Sequence, residues 1–473
     1  MNPNVFTRSL THCYLTCFLA VSLALGNSTS AVAQSESTQH SGPVQVTPPS
    51  SSAYQTAVNY VTNFYPLWFT YHQSLKATPD QLVGPKTVSP LYQVVVAVNV
   101  DTLYASGYLD LSAEPAILTV PSATSLNFSV LLLDPYGQVQ SSGLSFHPGT
   151  TYALIGPAGF QGSLPPNAVP VYLPTDHSTI IIRTDKYFGS TDETPAAGAF
   201  RASLKLQSLS NFNADPTGGS TMINPESNFA FPFKLLADTE IEIDPMLFLK
   251  QLIEAVESPR TPQLTQEQSA LVADLDALSS AGNSRAELAA GVRAAHDRLV
   301  QNYLAKQDSN HWIHFTNIGA WSENQQEVLD RASITQYIQY ANNLKASAYF
   351  QTFLDSGGQS LDGGMPGGYK ITFTKEQLPQ AERFWSITAY TPETIELLPN
   401  NLKKYNVASY TPGLTYNSDG SLTLFFAITK PNGVSDANFV PVLPGKFNLM
   451  LRVYAPEGNV TPTYVPPPVS KLE

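Results

Sequence analysis

Arg383-Phe384-Trp385-Ser386-Ile387-Thr388-Ala389-Tyr390 is the stretch that constrains the fold most, because its apolar and polar side chains alternate. A period of two is typical of a β-strand with one buried face. The same alternation recurs at residues 369–373, 421–428 and 447–454. These strands and the Pro-Gly and Asp-Gly turns between them predict a C-terminal β-sandwich of jelly-roll type over residues 346–458, followed by a proline-rich tail over 459–473.

Short β-branched runs indicate a second β region nearer the N-terminus. They lie at residues 94–98, 116–120, 128–133 and 180–184, separated by Pro, Gly, Asn and Asp. Regular spacing of short strands is typical of an all-β sandwich, and the absence of intervening helices argues against a parallel nucleotide-binding sheet. We assign residues 53–243 to this N-terminal β-sandwich domain.

A helix is expected to lead that domain. Apolar residues between positions 53 and 75 recur at spacings of three and four, which is the helical period. Pro66 is expected to kink or split the helix. We expect its aromatic stripe to pack on the core of the N-terminal domain.

Helix-start signals predict a helical middle domain over residues 244–345. Asp244-Pro245 has the character of an N-cap and a first helical residue, and Thr265 and Ser284 open two further helices. A fourth helix is expected over residues 325–344.

An alternating row of acids precedes this helical domain. Asp238, Glu240, Glu242 and Asp244 are separated by single apolar or hydroxyl residues. We interpret the row as the solvent face of an edge strand that its charge keeps from pairing, with a calcium site as the alternative.

The N-terminus has the features of a signal peptide over residues 1–33. Arg8 precedes an apolar run over residues 14–25, and Ala31-Val32-Ala33 is a suitable cleavage site. Cleavage after Ala33 would leave a mature chain that begins with a flexible linker over residues 34–52 and is secreted or periplasmic. A signal anchor is the alternative.

Composition excludes several classes of protein. Cys13 and Cys17 are the only cysteines, and both fall within the leader, so the mature chain would have neither a disulfide nor a cysteine nucleophile. The formal charge is −12, which disfavours nucleic acid and anionic membranes as partners. No transmembrane segment is expected in the mature chain, since no other run approaches the roughly 20 apolar residues that a span needs. Oligomeric state and glycosylation of Asn127 and Asn459 stay open.

Catalytic and cofactor motifs are scarce. The chain has neither a Gly-x-Ser-x-Gly elbow nor a phosphate-binding glycine loop, and we expect no cofactor. His311 and His314 are the one tight histidine pair, and on a helix both rings could meet one metal, with Glu323 or Glu327 as a third ligand. A packed loop without metal is the alternative.

Charged residues inside apolar strands are more informative. Burying a charge is costly unless it is paired, so we expect Asp101 or Asp134 to meet Arg183, and Arg452 to meet an acid. Such residues can also mark a ligand cleft, where arginines bind an anionic group and aromatic rings stack. The candidate ligand-binding residues are Asp101, Tyr104, Asp134, Arg183, Trp385 and Arg452. Structural pairs without a ligand are the alternative.

Several of these residues lie in blocks that resemble known families. Asn99-Val100-Asp101-Thr102-Leu103-Tyr104 and Ile182-Arg183-Thr184 resemble the domain of unknown function 1254, and Phe384-Trp385-Ser386-Ile387-Thr388 and Arg452-Val453-Tyr454 resemble the domain of unknown function 1214. The resemblance implies a mainly β chain with an Ig-like N-terminal sandwich, a helical middle domain and a C-terminal jelly roll. It implies no settled activity.

The chain departs from the family pattern at two places. Phe439-Val440 stands where the family usually has Trp-Leu, and the segment after Trp312 lacks the usual Asp-Tyr. Either departure would alter a pocket at the domain junction.

These observations favour an exported protein that binds or processes a small polar or aromatic molecule, or a glycan, in a cleft between two β domains. One alternative is a non-catalytic cell-envelope or extracellular interaction module, and another is a secreted tailoring enzyme of secondary metabolism. A deep cleft with convergent charges would favour the first hypothesis, whereas an exposed apolar patch with every buried charge paired would favour the module.

Overall fold

The computed structural model describes residues 51–122, 126–140, 145–282 and 284–472. The predicted signal peptide, its cleavage after Ala33, both cysteines and nearly all of the predicted linker lie outside the described residues. All described residues belong to one contact unit. Within these ranges, no helix has both the length and the apolar character that crossing a membrane requires.

The described elements alternate between helical and β segments along the chain. Helices α1 to α8 span Ser52–Ser74, Thr194–Ser203, Leu209–Ala214, Phe233–Ile243, Pro245–Val256, Gln266–Ser280, Arg285–Leu304 and Gln325–Tyr337. Strands β1 to β11 span Val83–Pro85, Thr102–Asp110, Ala116–Thr119, Phe128–Leu133, Thr151–Ile155, Val169–Tyr172, His177–Asp185, Tyr187–Phe188, Thr191–Asp192, Lys205–Ser208 and Met222–Asn224. Strands β12 to β19 span Ser347–Thr352, Tyr369–Phe373, Ala381–Tyr390, Asn406–Ala408, Leu422–Ala427, Phe439–Pro441, Asn448–Pro456 and Ser470–Lys471.

The N-terminal β region is built on two main sheets that share a core, beside the short two-stranded sheet β8-β9. Their strand orders are β11-β1-β2-β7-β4 and β10-β3-β5-β6. Side chains alternate across β7, so Ile180 and Ile182 enter the core between the sheets, while Ile181 on the opposite face joins a second apolar cluster with Tyr349 of the C-terminal region. At β7, the outer face of the first sheet is therefore covered by the C-terminal region.

The C-terminal β region repeats this arrangement. Its sheets have the orders β12-β18-β14-β15 and β17-β16-β13-β19, and Trp385 and Ile387 of β14 lie in the core between them. Ser386 lies on the other face of β14, where it is paired in register with Arg452 of β18.

Helix α1 packs mainly within the helical part of the molecule. Its residues Phe64 and Trp68 share a core with Phe248 of α5 and Leu299 of α7, rather than with the core of the N-terminal sheets as expected. The helix also runs through Pro66 without interruption.

The predicted helix starts are confirmed, and those at Asp244 and Thr265 have the expected side-chain caps, whereas the helix that begins at Arg285 lacks the capping box expected from Ser284. The Asp244 side chain accepts a hydrogen bond from the Leu247 amide at 3.2 Å at the start of α5, and Thr265 forms a capping box with Gln268 at the start of α6. The last predicted helix is shorter than expected, because α8 ends at Tyr337.

Two strand predictions are wrong. The acidic row lies largely in helix α4, because Phe233, Ala237 and Ile241 supply a buried stripe at helical spacing that outweighs the alternation of the acids. Residues 94–98 form no strand, since Ala97 has a φ of 57°, which a pleated strand cannot accommodate. The chain thus has mixed helical and β content rather than being mainly β.

Candidate functional site

A cavity of about 560 Å³ lies between the outer face of the N-terminal sheet and the C-terminal β region. Strands β2 and β7 form one wall, and β12 and β18 contribute to the other. The segments 92–99 and 338–341 add to the lining, as do residues from the end of α1 and from the region 222–233. It therefore occupies the junction where the sequence predicted a cleft.

Arg183 is the central polar residue of the N-terminal wall. It lies opposite Tyr104 in the β2–β7 ladder, and its guanidinium carbon is 5.4 Å from the centre of the Tyr104 ring. Arg183 is only 7% exposed, and its Nη2 donates to the Tyr340 carbonyl at 3.2 Å. Its buried Nη1 makes no hydrogen bond of good distance and angle among the described residues, although the Tyr104 hydroxyl is near enough to interact with the guanidinium. One charged donor is therefore left unmatched at the cavity.

Arg452 has the corresponding position in the C-terminal wall, opposite Tyr349 in the β12–β18 ladder. It is 2% exposed. Its Nη1 donates to the Tyr390 hydroxyl at 2.7 Å, and its Nη2 donates to the Ala97 carbonyl. Because Ala97 belongs to the N-terminal region, Arg452 links the two β regions at the base of the cavity.

Both arginines hold carbonyls of strained residues. Ala97 and Tyr340 have φ values of 57° and 56°, in the left-handed region that residues other than glycine rarely adopt. Such conformations persist where the surrounding contacts impose them. The charged hydrogen bonds from Arg452 and Arg183 are contacts of this kind.

Two tyrosine hydroxyls on the cavity wall are oriented by asparagines. The Tyr104 hydroxyl accepts from the Asn99 amide at 3.3 Å. The Tyr349 hydroxyl accepts from the Asn342 amide at 3.0 Å and from its side-chain Nδ2 at 2.9 Å. A phenol oxygen whose lone pairs accept hydrogen bonds has its own proton left to donate, so both tyrosines can offer a donor to the cavity.

The electrostatic character of the cavity is cationic. Its lining includes Lys76, Arg183 and Arg452 but, among the described residues, no aspartate or glutamate. No ion pair within the described ranges involves either arginine. Burial opposes the charge of Arg183, yet the oxygens of Tyr104 and Tyr349 outweigh it and keep the pKa of the guanidinium above its usual value.

Asp101 lies below the cavity rather than in its lining. It is fully buried, its Oδ2 accepts from Ser386 Oγ at 2.8 Å, and its Oδ1 accepts from Asn406 Nδ2 and Tyr410 Oη, each at 2.6 Å. The expected pairing of Asp101 with Arg183 is wrong, because hydroxyl and amide donors of the C-terminal region satisfy the carboxylate instead.

Asp134 and Trp385 also lie away from the cavity. Asp134 accepts from the backbone amides of Tyr136 and Gln138 at 2.9 and 2.8 Å, and burial raises its pKa to about 6. Its nearest cationic influence is Arg331 rather than Arg183. Trp385 packs in the C-terminal core. Tyr104, Arg183 and Arg452 are therefore the three candidates that the structure brings together.

The histidine pair lies in a loop rather than on a helix. His314 Nδ1 donates to the Tyr349 carbonyl at 2.8 Å, and His311 Nδ1 lies 3.3 Å from Gln307 Oε1. Within the described ranges, no group of three or more His, Cys, Asp or Glu side chains is placed to hold a metal ion.

Sequence reasoning missed Tyr349, Tyr454 and Tyr92, which also line the cavity. A signal for Tyr349 is present, because Tyr340-Ala341-Asn342 before it parallels Ala97-Val98-Asn99 before Tyr104. Each triplet begins with a left-handed residue and ends with an asparagine whose amide binds the tyrosine that follows.

The comparisons with known proteins agree with this architecture. Residues 79–208 match the family described as protein of unknown function DUF1254, and residues 346–458 match the family described as protein of unknown function DUF1214. The chain belongs to the proteins that pair these two domains, which confirms the resemblance inferred from its sequence blocks.

Two solved structures are similar over most of the chain. The VPA0106 protein from Vibrio parahaemolyticus has a TM-score of 0.56 at 17% identity, covering 89% of this chain and 100% of its own. This likeness shows a shared fold. An uncharacterized protein from Burkholderia cenocepacia has a TM-score of 0.44 at 12% identity, covering 89% of this chain and 94% of its own. No curated protein sequence matches the chain.

Proposed function

We propose that the cavity binds a small organic anion, such as a carboxylate, between the two β regions. The observation that carries this proposal is the unpartnered Nη1 of Arg183 in a lining without a described carboxylate. Leaving a neutral buried donor without an acceptor lowers stability by about 1–3 kcal/mol, and a charged donor lowers it by more. A bound anion would supply the acceptor and restore that free energy.

The groups around Arg183 suit an oxyanion. The hydroxyls of Tyr104 and Tyr349, which both line the cavity, can donate to it. Charge-assisted hydrogen bonds from such donors are roughly twice as strong as neutral ones. The volume of about 560 Å³ lies within the roughly 300–1,000 Å³ typical of small-molecule sites.

This proposal narrows the sequence-based hypothesis. A neutral glycan would leave Arg183 without a counter-charge, so an anionic ligand with an apolar or aromatic body is favoured. A purely structural interaction module would have each buried charge paired, and Arg183 does not meet that condition among the described residues.

The finer aspects of fold and location belong to the same proposal. Two pairs of mainly antiparallel sheets, with parallel pairs only at β1–β11, β5–β6 and β16–β17 among the described strands, support an Ig-like N-terminal sandwich and a jelly-roll-type C-terminal sandwich. The leader sequence supports export after cleavage at Ala33, so the anion would be met outside the cytoplasm. The division into domains at residues 53–243, 244–345 and 346–458 stays a prediction.

Calorimetric titration tests the proposal. The chain without its predicted leader is titrated with benzoate, phenylacetate and hexanoate, and with the corresponding neutral amides. We expect the acids to bind at least tenfold more tightly, which corresponds to about 1.4 kcal/mol.

The variant Arg183→Gln should lose that preference. Because it also removes the Nη2 that donates to the Tyr340 carbonyl at 3.2 Å, circular dichroism and a thermal melt are used first to establish that the variant is folded. Arg183→Lys is the second variant, since it keeps the charge without the planar fork. Arg293→Gln is the control, because Arg293 is exposed and binds the Glu242 carbonyl on the helical part. Equal binding of acids and amides, or unchanged binding by Arg183→Gln, would contradict the proposal.

A further inference from the structure

We infer that the ligand is an amphipathic organic acid, which enters with its anionic group towards Arg183 and leaves its apolar end at the opening of the cavity. This inference rests on the proposed function and adds the chemical class and the orientation of the ligand. It follows from the way in which burial and polarity change along the lining.

The cavity has a buried charged end and an exposed apolar end. Arg183 and Arg452 are 7% and 2% exposed, whereas Met222 and Phe231 are 44% and 46% exposed. All four line the same cavity. Met222 and Phe231 therefore mark its mouth, and the two arginines mark its floor.

A row of aromatic rings extends from the arginines at the floor to the segment that contains the mouth residue Phe231. The Tyr104 ring lies 5.4 Å from the guanidinium of Arg183, and Tyr92 stacks on Tyr104 with a centroid distance of 6.0 Å. The next ring, Phe229, lies 5.1 Å from Tyr92. Phe229 is two residues before Phe231, so an apolar wall continues from the anion site to the opening.

The fold explains this wall. Tyr104 projects from the outer face of β2, while Met222 begins the edge strand β11 of the same sheet. The 3₁₀ turn Glu226–Phe229 follows β11 and brings Phe229 against Tyr92. The sheet and the turn after its edge strand thus form one side of the cavity from floor to mouth.

The mouth also explains two exposed apolar side chains. An isolated exposed apolar residue is ordinary, but Met222 and Phe231 border one opening. Lys76 Nζ lies 4.5 Å from the centre of the Phe231 ring, so a cation at the rim can attract the approaching acid. The apolar part of the ligand would cover the two side chains once the acid is bound.

The chain-length dependence of binding tests the inference. The chain without its predicted leader is titrated with butanoate, hexanoate, octanoate and decanoate below their micellar concentrations, and with decanamide. Burial of a methylene stabilises by about 0.8 kcal/mol, so each added carbon should raise the affinity by up to about fourfold. Decanamide should bind at least tenfold more weakly than decanoate.

Variants at the mouth separate this inference from the proposed function. Phe231→Ser should flatten the dependence between octanoate and decanoate and leave butanoate binding unchanged. Phe188→Ser is the matched control, because Phe188 is 55% exposed and does not line the cavity. Met222→Ser is a second mouth variant that, like Phe231→Ser, changes only an exposed side chain.

The possible failures differ in what they overturn. If short and long acids bind equally, or if Phe231→Ser and Met222→Ser both leave the dependence unchanged, the inferred orientation is wrong while anion binding stands. If affinity rises equally for acids and amides, the head-inward arrangement and the anion site are both wrong. If no acid binds, both proposals fail.

Discussion

Replacing Asp101 by alanine tests how the two β regions are joined. The carboxylate belongs to the N-terminal region, and its three side-chain donors belong to Ser386, Asn406 and Tyr410 of the C-terminal region. Asp101→Ala removes the acceptor, which leaves the Ser386 and Tyr410 hydroxyls without it and leaves Asn406 Nδ2 only a long hydrogen bond of 3.4 Å to the Tyr410 hydroxyl. The variant should therefore be destabilised, although no apolar core is disturbed.

The expected magnitude follows from the surroundings of the three donors. Each unsatisfied donor costs about 1–3 kcal/mol, with the upper value for groups that water cannot reach. Ser386 is fully buried, whereas Asn406 and Tyr410 are closer to solvent. Removing the carboxylate also removes its own desolvation cost. We therefore expect a loss of about 3 kcal/mol in the free energy of unfolding.

Urea denaturation followed by tryptophan fluorescence and far-ultraviolet circular dichroism measures this loss. Asp436→Ala is the control, since the Asp436 side chain is 91% exposed, and surface changes of this kind stay within about 0.5 kcal/mol. Ser386→Ala combined with Asp101→Ala should cost less than the sum of the single changes. A loss below 1 kcal/mol for Asp101→Ala would refute this account of the junction.

Three further predictions concern other parts of the molecule. Burial raises the pKa of Asp80 from 3.8 to about 7, so the stability that this group contributes is present below pH 3.8 and is lost as the pH rises through 7. Asparagine tolerates the φ of 54° at this position and carries no charge. In urea denaturation, the free energy of unfolding of Asp80→Asn should therefore exceed that of the wild type by about 1–3 kcal/mol at pH 8 and equal it at pH 4. Gly291→Ala should lower the free energy of unfolding by about 1–3 kcal/mol, because its Cβ would lie 2.5 Å from a carbonyl oxygen of α1. In the helical control Gly198→Ala the Cβ would make only an ordinary contact with Leu103 Cδ1 at 4.0 Å, so this variant should gain up to about 1 kcal/mol. Asn459 Nδ2 donates to two carbonyls, so Asn459→Ala should lower the thermal midpoint, and mass spectrometry of protein secreted from a eukaryotic host should find Asn459 without a glycan.

Local chemistry made some elements predictable and left others undetermined. Asp244 and Thr265 cap their helices through residues three positions away, so neighbouring sequence contains the whole interaction. By contrast, Ala97 is held by Arg452, which lies 355 positions further along the chain. Nothing near residues 94–98 opposes the strand that their β-branched side chains favour.

The candidate site likewise combines features that local sequence predicts with contacts between residues that are distant in the sequence. Arg183 and Arg452 stand out in sequence because burying a charge among apolar residues is costly wherever it occurs. Their partners are carbonyl groups of distant left-handed residues, which no local pattern announces. Trp385 and Ser386 illustrate a further limit, since alternation shows that they face opposite ways but does not tell which face meets the other domain.

The link from Arg452 to the Ala97 carbonyl has a consequence for the modularity of this chain. Expressed alone, the C-terminal half would present an arginine without its carbonyl acceptor, and the N-terminal half would present Asp101 without its donors. Each half also carries only one wall of the cavity. Separating the two halves would therefore yield fragments without the complete cavity and with buried polar groups that have lost their partners.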